Sequence, residues 1–382
     1  MTDPRITEAL ERALALGEVG VQVAAYQDGE LIVNAWAGVA DRASGRSVEE
    51  DTLFCPFSVT KAVTATALHV QAERGLVQYD APVAKYWPEY AAHGKGQTTV
   101  RDALSHRAGI PAMPEGATPE RMCDWEWMVE QTAALEPLFT PGRTNAYHSL
   151  IWGWIIGEVV RRTDPAHRPF GQFVQQEICE PLGIKDLYLG VPASQLPRVA
   201  PVITDDPPQP DQSLRGQSMP VAVHPSASVH NRPDVQQACI PGAGALITAG
   251  AGARLFAMLA NGGELGGVRL LSEQRLRSLC VPRDDPYAVD ATLRTVSWIG
   301  RGGYHLGGES PPANPLVGTG PHILHHPGAG GSIGWADLDT RLSATICHNR
   351  MHGTWATPTN PFQVIADAVR EVAADIRMRT RA

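Results

Sequence analysis

The segments that read as β-strand lie at the two ends of this chain, separated by a long helical stretch, and that order restricts the possible folds more than any other feature. A short amphipathic helix ending near Gly17 is followed by two β-rich runs, Val21 to Ala25 and Leu31 to Ala37, joined through Gln27-Asp28-Gly29-Glu30. Asp-Gly between such runs signals a hairpin. From Pro56 to about Glu180 helical patterns dominate: Ser58 to Arg74 closed by Gly75, Val100 to Leu104, and Ser149 to Arg162. Pro201 to Pro225 holds six prolines and has loop composition, which reads as a boundary. A helix is expected from about Ala245 to Asn261, then strands at His322 to His326, Gly331 to Leu338 and Leu342 to Cys347. In the last segment Phe362, Ile365, Val369, Val372 and Ile376 form one apolar helical stripe that needs cover. The expectation is an α/β (α+β) protein with one antiparallel sheet, flanked by helices and closed by both termini.

At 382 residues the chain is long enough for a full enzyme core. With 43% hydrophobic and 19% charged residues it has a globular balance rather than a disordered one. Its net charge is −8 and it has no basic cluster, which argues against nucleic acid or an anionic membrane surface as a partner. The longest apolar run, Leu150 to Gly157, is too short to span a bilayer, and Met1 to Gly17 lacks the apolar core of an export signal, so a soluble cytoplasmic protein is expected. The cysteines Cys55, Cys123, Cys179, Cys239, Cys280 and Cys347 lie far apart with no Cys-x-x-Cys pair, so neither a zinc knuckle nor a disulfide framework is expected, and most read as small buried hydrophobes.

Three short motifs can carry chemistry. Ser58-Val59-Thr60-Lys61 places a serine and a lysine three apart at the start of a helix, hence on one face and near its positive end. A lysine held there out of water loses its proton more easily and becomes a base for the serine hydroxyl, which arginine cannot do. This chain has 28 arginines against 4 lysines, so lysine at position 61 is informative. The alternative is a serine cap with a lysine on a solvated face. Against it, Ala62, Val63, Ala65, Ala67 and Leu68 leave almost no polar face, which suggests a buried helix. Tyr147-His148-Ser149 follows a Pro141-Gly142 turn; a tyrosine beside a lysine can relay protons, or simply be buried with one hydrogen bond. His326-Pro327-Gly328-Ala329 ends a predicted strand, where glycine lets backbone N–H groups approach a developing oxyanion, or where a plain turn would serve. Trp125 and Trp127 either wall a pocket for an acyl group or pack in the core. His348 and His352, four apart, have a metal-ligand spacing, but without a carboxylate at metalloprotease spacing no metal is expected.

Taken in order, Ser58-x-x-Lys61, Tyr147-x-Ser149 and His326-Pro327-Gly328 resemble the three signature boxes of the serine β-lactamase and penicillin-binding-protein superfamily, and most closely its class C-like branch of family VIII carboxylesterases and related acyltransferases. The similarity runs over nearly the whole chain and includes Leu104-Ser105-His106-Arg107-Ala108-Gly109 and Pro181-Leu182-Gly183. It implies a β-lactamase/transpeptidase-like fold, with residues 1–57 plus 230–382 as the sheet lobe, 58–229 as a mostly helical lobe, and the active site between them. It makes Ser58 the nucleophile, Lys61 its base and Tyr147 the partner in proton transfer, with the N–H groups of Ser58 and Ala329 as the oxyanion hole. Ser149, His326, Gly328, Trp125 and Trp127 become substrate-binding candidates. Two boxes depart from the β-lactamase pattern: Ser149 stands in place of Asn, and His326 in place of Lys. Ala329 also replaces a common hydroxyl residue. Losing a cation and a hydroxyl favours a neutral ester over an anionic β-lactam. The expected activity is therefore that of a serine esterase or acyltransferase on a small ester, without a cofactor. The rivals are a β-lactamase or D-alanyl peptidase, and a ligand sensor that keeps the fold without turnover.

Overall fold

The computed structural model describes residues 3–308, 314–352 and 360–381. Asp3 caps the first helix, α1 (Pro4–Ala15), by accepting a hydrogen bond from the Arg5 N–H, and Ile6, Ala9, Leu10 and Ala13 form its buried stripe. Strands β1 (Gly20–Gln27) and β2 (Glu30–Asp41) follow. They are joined by Asp28 and Gly29, whose φ angles of 51° and 84° are the two left-handed positions a tight hairpin turn requires. The short β3 (Arg46–Ser47) pairs with β2. In the helical middle, α2 (Thr60–Glu73) packs on α3 (Trp152–Thr163). Then come α4 (Ala249–Ala260), β4 (His305–Leu306), β5 (Ile323–Pro327), β6 (Ile333–Asp337), β7 (Leu342–His348) and α5 (Pro361–Arg381).

These strands form one seven-stranded antiparallel sheet in the order β3-β2-β1-β7-β6-β5-β4. The two ends of the chain meet at its centre, where β1 runs against β7 with Val21 opposite His348 and Gln27 opposite Leu342, and every residue of both strands is buried. Side chains alternate between two cores. Val21, Val23, Ile333, Trp335 and Ile346 join Ile6 and Leu10 of α1 and Ile365 and Val369 of α5. Ala24, Ala336 and Cys347 join the larger cluster that includes α2, α3 and α4.

α2 is buried at every position from Thr60 to Ala72. Its threonines are poor helix formers, but their hydroxyls have partners: Thr64 donates to the Pro241 carbonyl and Thr66 to the Ala62 carbonyl, both at 2.7 Å. Two expectations need correction. The helix expected from Ala245 is split, because Ala245–Ile247 is a strand paired with Leu187–Leu189, and Thr248 starts α4 by accepting from the Ala251 N–H. The Pro201 to Pro225 stretch is not a plain boundary loop; it contains a short helix, Leu214–Ser218, that helps wall a cavity. Among the described residues no helix is long and apolar enough to cross a membrane.

Candidate active site

Phe57 adopts φ of 49°, a conformation rare for a bulky residue, and its turn Phe57–Val59 leads directly into α2. Such outliers collect where the surrounding structure holds a functional group in place. Ser58 is the next residue. One turn further on, Lys61 is fully buried, and its Nζ lies 3.0 Å from Ser58 Oγ, 2.7 Å from the Ser149 carbonyl and 2.8 Å from the Gly242 carbonyl. Burial lowers its pKa to about 7.

Tyr147 lies beside this pair, its ring centroid 5.3 Å from Nζ. It is held from behind by His106, whose ring stacks on it at 4.3 Å, and by Asp290, whose carboxylate accepts from the Tyr147 N–H at 2.9 Å. Asp290 is itself ion-paired with Arg283 at 3.2 Å, both side chains fully buried. Burial raises the phenol pKa above its usual value, against a smaller opposing effect of the Ser58 hydroxyl, so Tyr147 holds its proton.

The third box is pressed against the first. A Cβ on Gly328 would lie 2.0 Å from the Pro56 carbonyl oxygen, so only glycine permits the approach. Ala329 then opens a short 3-10 turn, Ala329–Gly331. Ser58 and Ala329 are both in the first turn of such a segment, where N–H groups have no intrahelical acceptor.

Ser58, Tyr147, Ser149, Gly328 and Ala329 line the polar end of a cavity of about 550 Å³. Leu150, Met219, Leu293, Val296, Trp298 and Leu316 give it an apolar wall. Ser149 contributes its carbonyl to Lys61, while its hydroxyl bonds Ser218 Oγ at 2.8 Å. His326 is fully buried with Nδ1 3.0 Å from the Pro327 carbonyl; it is not among the lining residues, whereas His305 and His325 are. Burial, and then the nearby Lys61, push its pKa well down, so it is a neutral imidazole.

Trp125 and Trp127 are not cavity walls. Trp125 donates from Nε1 to Glu158 at 2.9 Å and stacks on Phe170, while Trp127 lies under the Arg121 guanidinium. Among the described residues the tryptophan that does line the cavity is Trp298, in a loop-rich stretch with no sequence mark. Gly242, Asp290 and Arg215, which also lines the cavity, were equally unmarked; only the small-residue run Pro241-Gly242-Ala243-Gly244 hinted at a close approach.

A cavity-facing serine paired with a buried lysine at the head of a central helix, backed by a tyrosine and set beside a sheet closed by both termini, defines the class of serine β-lactamases and penicillin-binding proteins. The chain belongs to the Beta-lactamase family, which it matches over residues 6–368. It is 34% identical to the esterase/beta-lactamase LipL of Mycobacterium tuberculosis, over 94% of this chain and 84% of that one. Among solved structures it is similar to a family VIII carboxylesterase, with a TM-score of 0.87 at 31% identity over 97% of this chain and 98% of the other. It is also similar to a penicillin-binding protein homologue from Caulobacter crescentus, with a TM-score of 0.85 at 30% identity over 98% of both chains.

Proposed function

We propose that this chain is a serine carboxylesterase that acts on small neutral esters through an acyl-Ser58 intermediate. The bonding of Lys61 carries this reading. A neutral amine has two N–H donors and one lone pair; with the donors given to the Ser149 and Gly242 carbonyls, the lone pair is left facing Ser58 Oγ at 3.0 Å. The Ser58 hydroxyl donates to it, loses its proton as Oγ attacks the ester carbonyl, and the oxyanion forms toward the N–H groups of Ser58 and Ala329. As the intermediate collapses, the proton passes from Lys61 through the Tyr147 hydroxyl to the departing alcohol. Water then repeats the sequence to release the acid, and an added alcohol in its place would make the same enzyme an acyltransferase.

The cavity walls support a neutral substrate. Arg215 is the only charged side chain among the described lining residues, and it is exposed, so its pull on an anion is screened. His326, being neutral, supplies no cation where a lysine would. The esterase LipL and the similar family VIII carboxylesterase support the same choice. Six unpaired cysteines suit a reducing compartment, and the cytoplasm is the location we infer. The second reading, turnover of an anionic β-lactam, has Arg215 in its favour.

The test compares kcat/KM for p-nitrophenyl butyrate with that for a chromogenic cephalosporin. The expected preference for the ester is at least about a hundredfold, the scale lost when a charged group lacks its partners. Equal rates would select the second reading. Peptide mapping after a serine-directed phosphonate should find the adduct on Ser58 alone, and an adduct elsewhere with Ser58 free would remove the mechanism.

A further inference from the structure

Beside the turn that carries Ala329, three metal-ligating side chains meet that the hydrolytic site does not use. Glu18, between α1 and β1, is 5% exposed. Its Oε1 accepts from the Val19 N–H at 2.9 Å, and its Oε2 is the oxygen that meets the two histidines. Nε2 of His352 lies 3.1 Å from Oε2, and so does Nδ1 of His348, the last residue of β7. One potential ligand atom from each of the three residues lies within 4.8 Å of those of the other two.

The His348 contact is close without being a hydrogen bond. Nδ1 is buried and has no hydrogen-bond partner among the described residues, although the residue is only 5% exposed. A nitrogen and an oxygen that approach each other without aligning are arranged as two ligands aimed at a third atom. A first-row divalent cation with bonds of about 2.0–2.1 Å holds neighbouring ligand atoms about 2.9 Å apart at right angles and about 3.3 Å apart at tetrahedral angles. The 3.1 Å separations fall between those values.

We propose that Glu18, His348 and His352 form a binding site for a divalent transition-metal ion of the zinc type. Two imidazoles and one carboxylate suit that class of ion, whereas calcium and magnesium take oxygen ligands. The surroundings hold the ligands in place: the Val19 N–H fixes the carboxylate, and the Phe362 ring packs on His348 at 4.4 Å and on His352 at 5.5 Å. Arg350, two residues before His352, is engaged by Asp205 at 2.7 Å and does not neutralise the carboxylate. The His352 side chain is 21% exposed, which gives an ion a way in and leaves room for a water ligand. The His352 N–H donates to the Gly330 carbonyl at 3.1 Å, so the ion would tie the strap after β7 to the N-terminal turn directly behind the Ala329 loop.

The test uses the full chain, stripped with EDTA, dialysed against zinc chloride and then against metal-free buffer, with zinc counted by mass spectrometry and thermal unfolding recorded alongside. The parent should retain about one zinc per chain and gain on the order of 3 °C or more in Tm. Glu18→Gln and the partly exposed His352→Gln, each verified as folded by circular dichroism, should lose both effects. Retention of less than about a fifth of an equivalent by the parent would overturn the site and leave a carboxylate shared between two imidazoles by proton alone. Undiminished retention by His352→Gln would overturn it as well, by placing the ion elsewhere. None of the three residues lines the catalytic cavity, so this outcome is independent of the ester chemistry.

Discussion

Lys61 works as a base only while it is neutral, and burial is what makes it so. Lys61→Arg keeps the charge and removes the base, because a guanidinium stays protonated. Activity should fall on the order of 10³-fold or more, close to Ser58→Ala, while Tyr147→Phe should lose on the order of 10²-fold. A folded Lys61→Arg variant with substantial activity would make Lys61 a spectator. The same chemistry sets the pH dependence. With the amine pKa lowered to about 7, the reactive form is lost as pH falls through that value, so kcat/KM should drop below neutrality by about tenfold per pH unit. Because serine, lysine and tyrosine are in contact, the apparent value belongs to the group as a whole. A profile flat down to pH 5 would exclude a lysine base. Ser58 and Lys61 were legible in the sequence because both lie within one helical turn. The burial that tunes Lys61 was indicated only indirectly, by the apolar residues around it.

At the scale of elements, the site depends on how closely α3 approaches the segment after the short helix Pro233–Gln237. A Cβ on Gly153 of α3 would lie 2.2 Å from the Gly242 nitrogen, and one on Gly242 2.5 Å from the Leu150 carbonyl oxygen. This contact seats the Gly242 carbonyl on Lys61. Alanine is normally the better helix residue by about 1 kcal/mol, yet Gly153→Ala should lower both Tm and kcat, because its methyl must push away the Pro241–Gly242 backbone that carries the carbonyl. Calorimetry and steady-state kinetics check this, and parental values for both would show that the contact does not position the lysine. Elements with local end signals were readable in advance. Val100–Leu104 has its boundaries because Thr99 and Asp102 form a reciprocal capping box. The start of α4 was not readable, because Ala245–Ile247 and the helix after it are equally apolar and only pairing with Leu187–Leu189 separates them.

For the whole molecule, both termini contribute to one face of the sheet. Phe362, Ile365, Val369 and Val372 of α5 are each at most 4% exposed. Burying such a side chain stabilises by roughly 1.5–3 kcal/mol, so the four together are comparable with the entire ~5–15 kcal/mol that separates a folded domain from its unfolded chain. Deleting residues from Pro361 onward should therefore abolish the cooperative thermal transition; a truncated chain that melts sharply near the parental Tm would show that α5 is an accessory. The amphipathic stripe of α5, the Asp28-Gly29 hairpin and the serine–lysine spacing were all determined by the sequence alone, because periodicity, turn geometry and helical proximity act between residues close in the chain. Only the tertiary structure decided which distant groups face them: the Gly242 carbonyl, 181 positions from Lys61; the Asp290 carboxylate, 143 from Tyr147; and Glu18, 334 from His352. Glu18 meets His352 because β1 pairs with β7, whereas the Gly242 and Asp290 contacts follow from how helices and loops outside the sheet pack on one another; a local pattern constrains which face of an element is apolar without saying what will lie against it.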